Sequence, residues 1–216
     1  MRIIVTGANR GIGRALFDMA AARGDEVTGT TRGAPEGPGW LRLDVADPAS
    51  QRSFAAAVGD GPLDLLVCNA GVYVDKGEDL ATGYPAEAWA ETFAVNVTGV
   101  FLTVQALLAN LRAGKGKVAI ISSRMGSQKL APGGSYIYRA SKAAAVNLGR
   151  NLAADLKPEG IAVGIYHPGW VRTDMGGAGA DVTPAASAGG LLARFDALSV
   201  ATTGCYEDWQ GTAIPL

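Results

Sequence analysis

VTGANRGIG, residues 5–13, leaves a short β-branched run and enters a stretch of helical period. Glycines at Gly7, Gly11 and Gly13 let the chain turn tightly, come close to a pyrophosphate and pack the next helix against the strand. The helix start adds free N–H groups and the positive end of its dipole. A dinucleotide suits such a turn. The spacing is G-x-x-x-G-x-G, not the general G-x-G-x-x-G, and a plain tight turn would use the same residues. The rest of the chain has to decide between them.

Outward from this turn, short β-branched runs alternate with longer helical ones. RIIVT (2–6), EVTGT (26–30), LRLDV (41–45), LDLLV (63–67), KVAIIS (117–122) and IAVGIY (161–166) read as strands buried on both faces. Between them, 11–24, 47–59, one long stretch near 85–111 and another near 136–157 carry apolar residues at helical spacing, with Pro85 and Pro158 as boundaries. Strand, helix, strand, repeated, predicts an α/β fold: one domain, 1–216, with a doubly wound parallel sheet and helices on both faces. Residues 174–190, DMGGAGADVTPAASAGG, lack a period and read as a loop and substrate lid. A last helix is expected around 185–198, and the tail from Thr203 offers one more strand.

With 216 residues, 48% hydrophobic, the chain can bury one large core. A net charge of −1 leaves no basic surplus for phosphate backbones, so no nucleic-acid partner is expected. No apolar run reaches the roughly 18–20 residues that span a bilayer, and MRIIVTG reaches a glycine turn too soon for a secretory apolar core. A cytoplasmic protein without membrane contact is the expectation. Cys68 and Cys205 read as reduced thiols, and a single histidine, His167, argues against a metal cluster.

SYIYRASKA, residues 135–143, sets two tyrosines ahead of one lysine. In a helix, residues four apart share a face, which pairs Tyr138 with Lys142 and leaves Tyr136 off that face.

Thr6-Gly7-x-x-x-Gly11-x-Gly13, Asn69-Ala70-Gly71, Asn96, Ser123, Tyr138-x-x-x-Lys142 and Pro168-Gly169 occur in one order. That order resembles the short-chain dehydrogenase/reductase family over nearly the whole chain. ISSRMGS, YRASKAA and HPGWVRTDMGG are similar to its small carbonyl-reductase, C-factor-like members. The resemblance implies a Rossmann-type fold, a nicotinamide cofactor and a small carbonyl or alcohol substrate. Departures are Cys68 where the family has a first Asn, a Ser123-to-Tyr138 interval two residues longer than the commonest, and a short chain after residue 175.

The family's chemistry then falls on particular residues. Hydride transfer to a carbonyl leaves charge on its oxygen, which an acid must meet with a proton. The resemblance makes Tyr138 that acid/base, with Lys142 lowering its pKa from near 10 and holding the nicotinamide ribose. Strand alternation lets only one of Ser122 and Ser123 face the site, and the family's serine, three before a glycine, selects Ser123. Asn96 would hold a water that links Lys142 to solvent, although a helix-surface asparagine is the plainer alternative. The cofactor would touch Thr6, Gly7, Asn9, Arg10, Gly11, Ile12 and Gly13 at the first turn, Thr31 and Arg32 at the end of the second strand, and Asp44 and Val45 at the end of the third. Asn69, Ala70 and Gly71 follow the fourth, and Pro168, Gly169, Val171 and Thr173 lie near the nicotinamide. His167 has no nucleophile beside it in the sequence and reads as non-catalytic.

Enzymes that select NAD place an acid at the end of the second strand. GTTRG (29–33) has Thr31 and Arg32 there, and Arg10 stands inside the turn, so NADP (NADPH) is the expected cofactor. A dinucleotide-binding redox sensor without turnover is the alternative. In many relatives the helices matching 85–111 and 136–157 pair subunits into a homo-oligomer, while some small carbonyl reductases are monomers.

Overall fold

A computed structural model describes residues 1–216. Seven strands form one sheet: β1 (Arg2–Val5), β2 (Glu26–Thr31), β3 (Trp40–Arg42), β4 (Leu65–Cys68), β5 (Lys117–Ile121), β6 (Ala162–His167) and β7 (Tyr206–Asp208). The order is β3-β2-β1-β4-β5-β6-β7, every pair parallel. Chain order reverses beside β1, which pairs β2 on one side and β4 on the other. Ligands of open α/β sheets bind beyond the carboxyl ends of the strands at such a reversal. The glycine turn lies there.

Strand alternation divides the core in two. Ile4, Leu66, Val118 and Val163 face one layer of helices, where Phe54, Leu107, Leu111 and Leu156 pack. Ile3, Val5, Leu65, Val67 and Ala119 face the other, against Leu16, Ala20, Leu191 and Phe195. The latter residues belong to α1 (Gly11–Ala22) and α7 (Pro184–Ala197), which pack on each other. Across the sheet lie α2 (Pro48–Val58), the segment 86–114 and α6 (Tyr136–Leu156). No single helix is long and apolar enough to cross a membrane.

Three expectations need correction. The helix expected over 85–111 is α3 (Ala86–Phe93), a π-helical turn at Ala94–Thr98, α4 (Gly99–Ala106) and, after a 58° bend at Leu107, α5 (Leu108–Gly114). The π turn coincides with buried Asn96, whose amide pairs with the main chain outside its own helix. The third strand ends at Arg42, so Asp44 and Val45 lie beyond it. There Asp44 N–H bonds the Ser50 hydroxyl at 2.9 Å and its carboxylate accepts from Ala46 N–H at 3.0 Å, turning the chain off the sheet. The expected lid shortens too, because Thr183 accepts from Ala186 N–H and Pro184 opens α7, leaving 184–190 helical.

Candidate active site

At the first turn Gly7 and Gly11 have φ of 62° and 58°, backbone that only glycine adopts freely. Asn69 ties this turn to the end of β4: its Nδ2 donates to Thr6 O at 2.9 Å and Gly7 O at 3.1 Å. The Thr6 hydroxyl accepts from Asn69 and Ala70 N–H, each at 3.0 Å. A side chain on Gly13 would collide with the Asn69 amide and Gly7 O, so close packing demands glycine there. No side chain caps α1, whereas Asp47 caps α2 and Thr183 caps α7. The first N–H groups of α1 therefore stay open to an anion, and the cradle fits a dinucleotide pyrophosphate.

Thr173 sits over this turn, its methyl 3.2 Å from where a Cβ on Gly11 would stand. Beside it the Arg10 guanidinium pairs with Asp174 at 2.9 Å, both side chains largely exposed. Arg32 is exposed and makes no ion pair, Thr31 is buried, and Glu36 farther along that loop is held by Arg14. No carboxylate guards the end of β2.

On α6, Tyr138 and Lys142 are both buried, and the Lys142 ammonium lies 5.6 Å from the Tyr138 ring centroid. Its Nζ donates to Ile121 O at 2.9 Å. Burial draws the ammonium down to about 8, which keeps it mostly charged at neutral pH. Ser123, just past β5, faces Tyr138, while the Ser122 hydroxyl is spent on Lys142 O at 3.0 Å. Asn96 joins the group. Its Nδ2 donates to Val72 O at 2.9 Å and to the Ser141 hydroxyl at 3.0 Å, and its Oδ1 accepts from Val72 N–H at 2.8 Å. A Cβ on Gly71 would stand 3.3 Å from Asn96 Oδ1 and 3.5 Å from Lys142 Nζ, so Gly71 keeps those groups close.

Burial pushes the Tyr138 phenol well above its usual range. Ser123 pulls it down, and Tyr73, Asp75 and Tyr206 add to the rise. Burial is the largest influence on the phenol in this arrangement. The phenol stays protonated, which is the form that can give a proton to a developing alkoxide.

Sequence reasoning missed Tyr73 and Asp75. Tyr73 stacks on Tyr138 with centroids 4.2 Å apart, and its hydroxyl meets the Ser135 hydroxyl at 2.6 Å. Asp75 is buried against the start of α6. The one signal available was an acid among apolar residues just after Asn69-Ala70-Gly71. Tyr136 lies off the site, exposed and edge-on to Tyr84.

His167 ends β6 with its Nδ1 buried and unpartnered, and burial, aided by Arg124, pushes it down to about 4. An unfolded histidine titrates near 6.5, so its neutral form stabilises the fold fully above that pH and the contribution is lost as pH falls towards 4. That difference, from 6.5 to about 4, is worth about 3 kcal/mol. Thermal melts at pH 7 and pH 5 should show a smaller acid loss in His167→Gln than in wild type, with equal losses counting against it.

A dinucleotide cradle at the sheet's reversal, next to a buried Ser-Tyr-Lys group, defines a nicotinamide-dependent oxidoreductase. The short chain dehydrogenase family model matches residues 1–181, and the chain belongs to that family. It is 42% identical over 167 residues to C-signal of Myxococcus xanthus, covering 76% of this chain and 99% of that one. It is 35% identical over 186 residues to the 3-oxoacyl-(acyl-carrier-protein) reductase FabG of Escherichia coli, covering 80% and 74%. Among solved structures, the NADPH-bound carbonyl reductase from chicken fatty liver superposes with a TM-score of 0.90 at 31% identity, over 100% of this chain and 98% of that one.

Proposed function

We propose that this protein is an NADP-dependent oxidoreductase acting on a ketone or aldehyde, or on the matching alcohol, with Tyr138 as acid/base. The observation that carries the reading is the gathering of Ser123, Tyr138, Lys142 and Asn96 in one buried cluster beside the glycine cradle. A bound nicotinamide would supply or take up the hydride. Ser123 and the Tyr138 phenol would both bond the carbonyl oxygen, the phenol yielding its proton as charge develops there. Lys142 holds positive charge near the phenolate that this leaves, and Asn96 fixes the loop beside it.

For the cofactor, the support is the missing acid at the end of β2 together with Arg32 and Arg10. The Arg10–Asp174 pair is exposed, and such pairs contribute little, so the guanidinium can leave Asp174 for a 2′-phosphate. Losing one such charged contact costs about 1.5–3 kcal/mol, roughly ten- to a hundredfold in affinity. Arg10→Ala and Arg32→Ala should weaken NADPH by that factor and leave NADH untouched. Equal wild-type affinity for both cofactors would overturn the assignment. A panel of aldehydes, ketones and alcohols, followed by nicotinamide absorbance, tests turnover itself.

A second reading, a dinucleotide-binding sensor without turnover, would use the same glycine cradle. Tight NADPH binding with no turnover on any substrate of the panel would decide for it. Should the chain form a homo-oligomer, exposed Trp89 and Phe101 on α3 and α4 are the apolar side chains that pairing would cover.

A further inference from the structure

Helix α6 carries both Tyr138 and Lys142, so the placement of its first turn sets where the phenol points. That turn has no local cap. Ser135, at the N-cap position, sits in left-handed backbone with φ 49° and ψ 45°, and its side chain bonds no helix N–H. Its hydroxyl is taken by Tyr73 instead. The open N–H groups are met from about 60 residues away in the chain. Asp75, 1% exposed, accepts from Ile137 N–H at 2.8 Å and from Tyr138 N–H at 3.2 and 3.3 Å through its two oxygens. A carboxylate at a helix start gains from the bonds and from the dipole alike.

The same short segment makes three other attachments. Val72 is held on both its N–H and its C=O by Asn96, and Tyr73 stacks on the Tyr138 ring. Asn96 then reaches Ser141, whose hydroxyl donates to Tyr138 O at 2.8 Å. Residues 72–75 thus grip the π turn with one end and the start of α6 with the other, and Tyr138 is fixed from its backbone N–H, its carbonyl and its ring.

We propose that Asp75 is a positioning residue for Tyr138: a distal cap that locks the first turn of α6 so that the phenol meets the substrate oxygen in a fixed place. The inference rests on the proposed acid/base role of Tyr138 but makes a claim that can be read without turnover. Side chains that act on the phenol are Ser123 after β5, Tyr206 on β7, Lys142 one turn on, and Tyr73 and Asp75 from this segment. Asp75 is a negative charge among them, and taking it away favours the phenolate.

Asp75→Ala and Asp75→Asn separate positioning from simple loss of fold. Asn keeps an acceptor without the charge, and Ala keeps neither. In Asp75→Ala, hydrogen exchange at the Ile137 and Tyr138 amides should accelerate at least tenfold. kcat should fall about ten- to a hundredfold, the loss that roughly 1 Å of misplacement brings. NADPH affinity should change less than twofold, since the glycine cradle does not involve this turn. Asp75→Asn should recover most of kcat, with the alkaline pKa of its pH profile moved below the wild-type value. Unchanged exchange at both amides in Asp75→Ala, or kcat within twofold of wild type, would overturn the proposal. So would equal loss of kcat, cofactor affinity and melting temperature in both variants. Faster exchange in Asp75→Ala beside a wild type that reduces no carbonyl would leave the cap standing and defeat the oxidoreductase reading instead.

Discussion

Purified Tyr138→Phe protein is expected to bind NADPH with wild-type affinity and to turn over about a hundred- to ten-thousandfold more slowly, the usual worth of a positioned general acid. The substitution removes one hydroxyl. The ring keeps its stacking on Tyr73, and the amide keeps its bond to Asp75. No group stands by as a substitute: the Lys142 ammonium is turned to Ile121 O, and His167 sits at the end of β6 facing Arg124 and Asp208. Tyr136→Phe, on an exposed ring off the shared face, should stay within about twofold, as surface changes usually do. Single-turnover hydride transfer with preloaded NADPH reads the chemistry directly, and ordinary rates in Tyr138→Phe would sink the mechanism.

The second large effect belongs to Lys142, where activity and stability should move in opposite directions. Lys142→Met should lose nearly all turnover and weaken the cofactor, because one ammonium serves both the phenolate and, by resemblance, the ribose. The fold should nevertheless become more stable at pH 7. Burial lowers this lysine from 10.5 to about 8, a penalty on the folded state of about 3 kcal/mol. Losing the bond to Ile121 O returns about 1 kcal/mol of that, so a net gain of about 2 kcal/mol, or roughly 4–8 °C in Tm, is expected. The sign with pH follows from the lowered value. Below pH 8 both states hold the proton and the penalty is constant. Between pH 8 and 10.5 the folded state releases it first, so wild-type stability rises and the gap to Lys142→Met closes. Melts of both proteins at pH 7 and pH 10 check this, and a variant less stable than wild type at pH 7 would refute it.

The parallel, doubly wound sheet was legible in the residues because both-face burial writes itself as unbroken apolar runs, such as LDLLV, separated by helical spacing. The glycine turn was legible because positive φ and close approach leave glycine almost no rival. The pairing of Tyr138 with Lys142 needed only the pitch of a helix. All three are local properties, carried by residues within a few positions of one another.

What the tertiary structure decided depends on residues far apart in sequence. That Asn96 breaks its helix with a π turn follows from Val72 and Ser141, neither of which is its neighbour in the chain. That α6 is capped by Asp75, that Tyr73 covers Tyr138 and that Arg10 rests on Asp174 are encounters made by folding, with no period or spacing to announce them. The protonation of Tyr138 belongs with these: its pKa answers first to burial and then to four side chains, Ser123, Tyr73, Asp75 and Tyr206, from three segments far from it in the chain. The sequence by itself determined the sheet, the turn and the reacting pair, because pitch and pleat act between near neighbours. The state and aim of that pair were left to the tertiary structure, because desolvation and long-range hydrogen bonds exist only once the chain has closed around them.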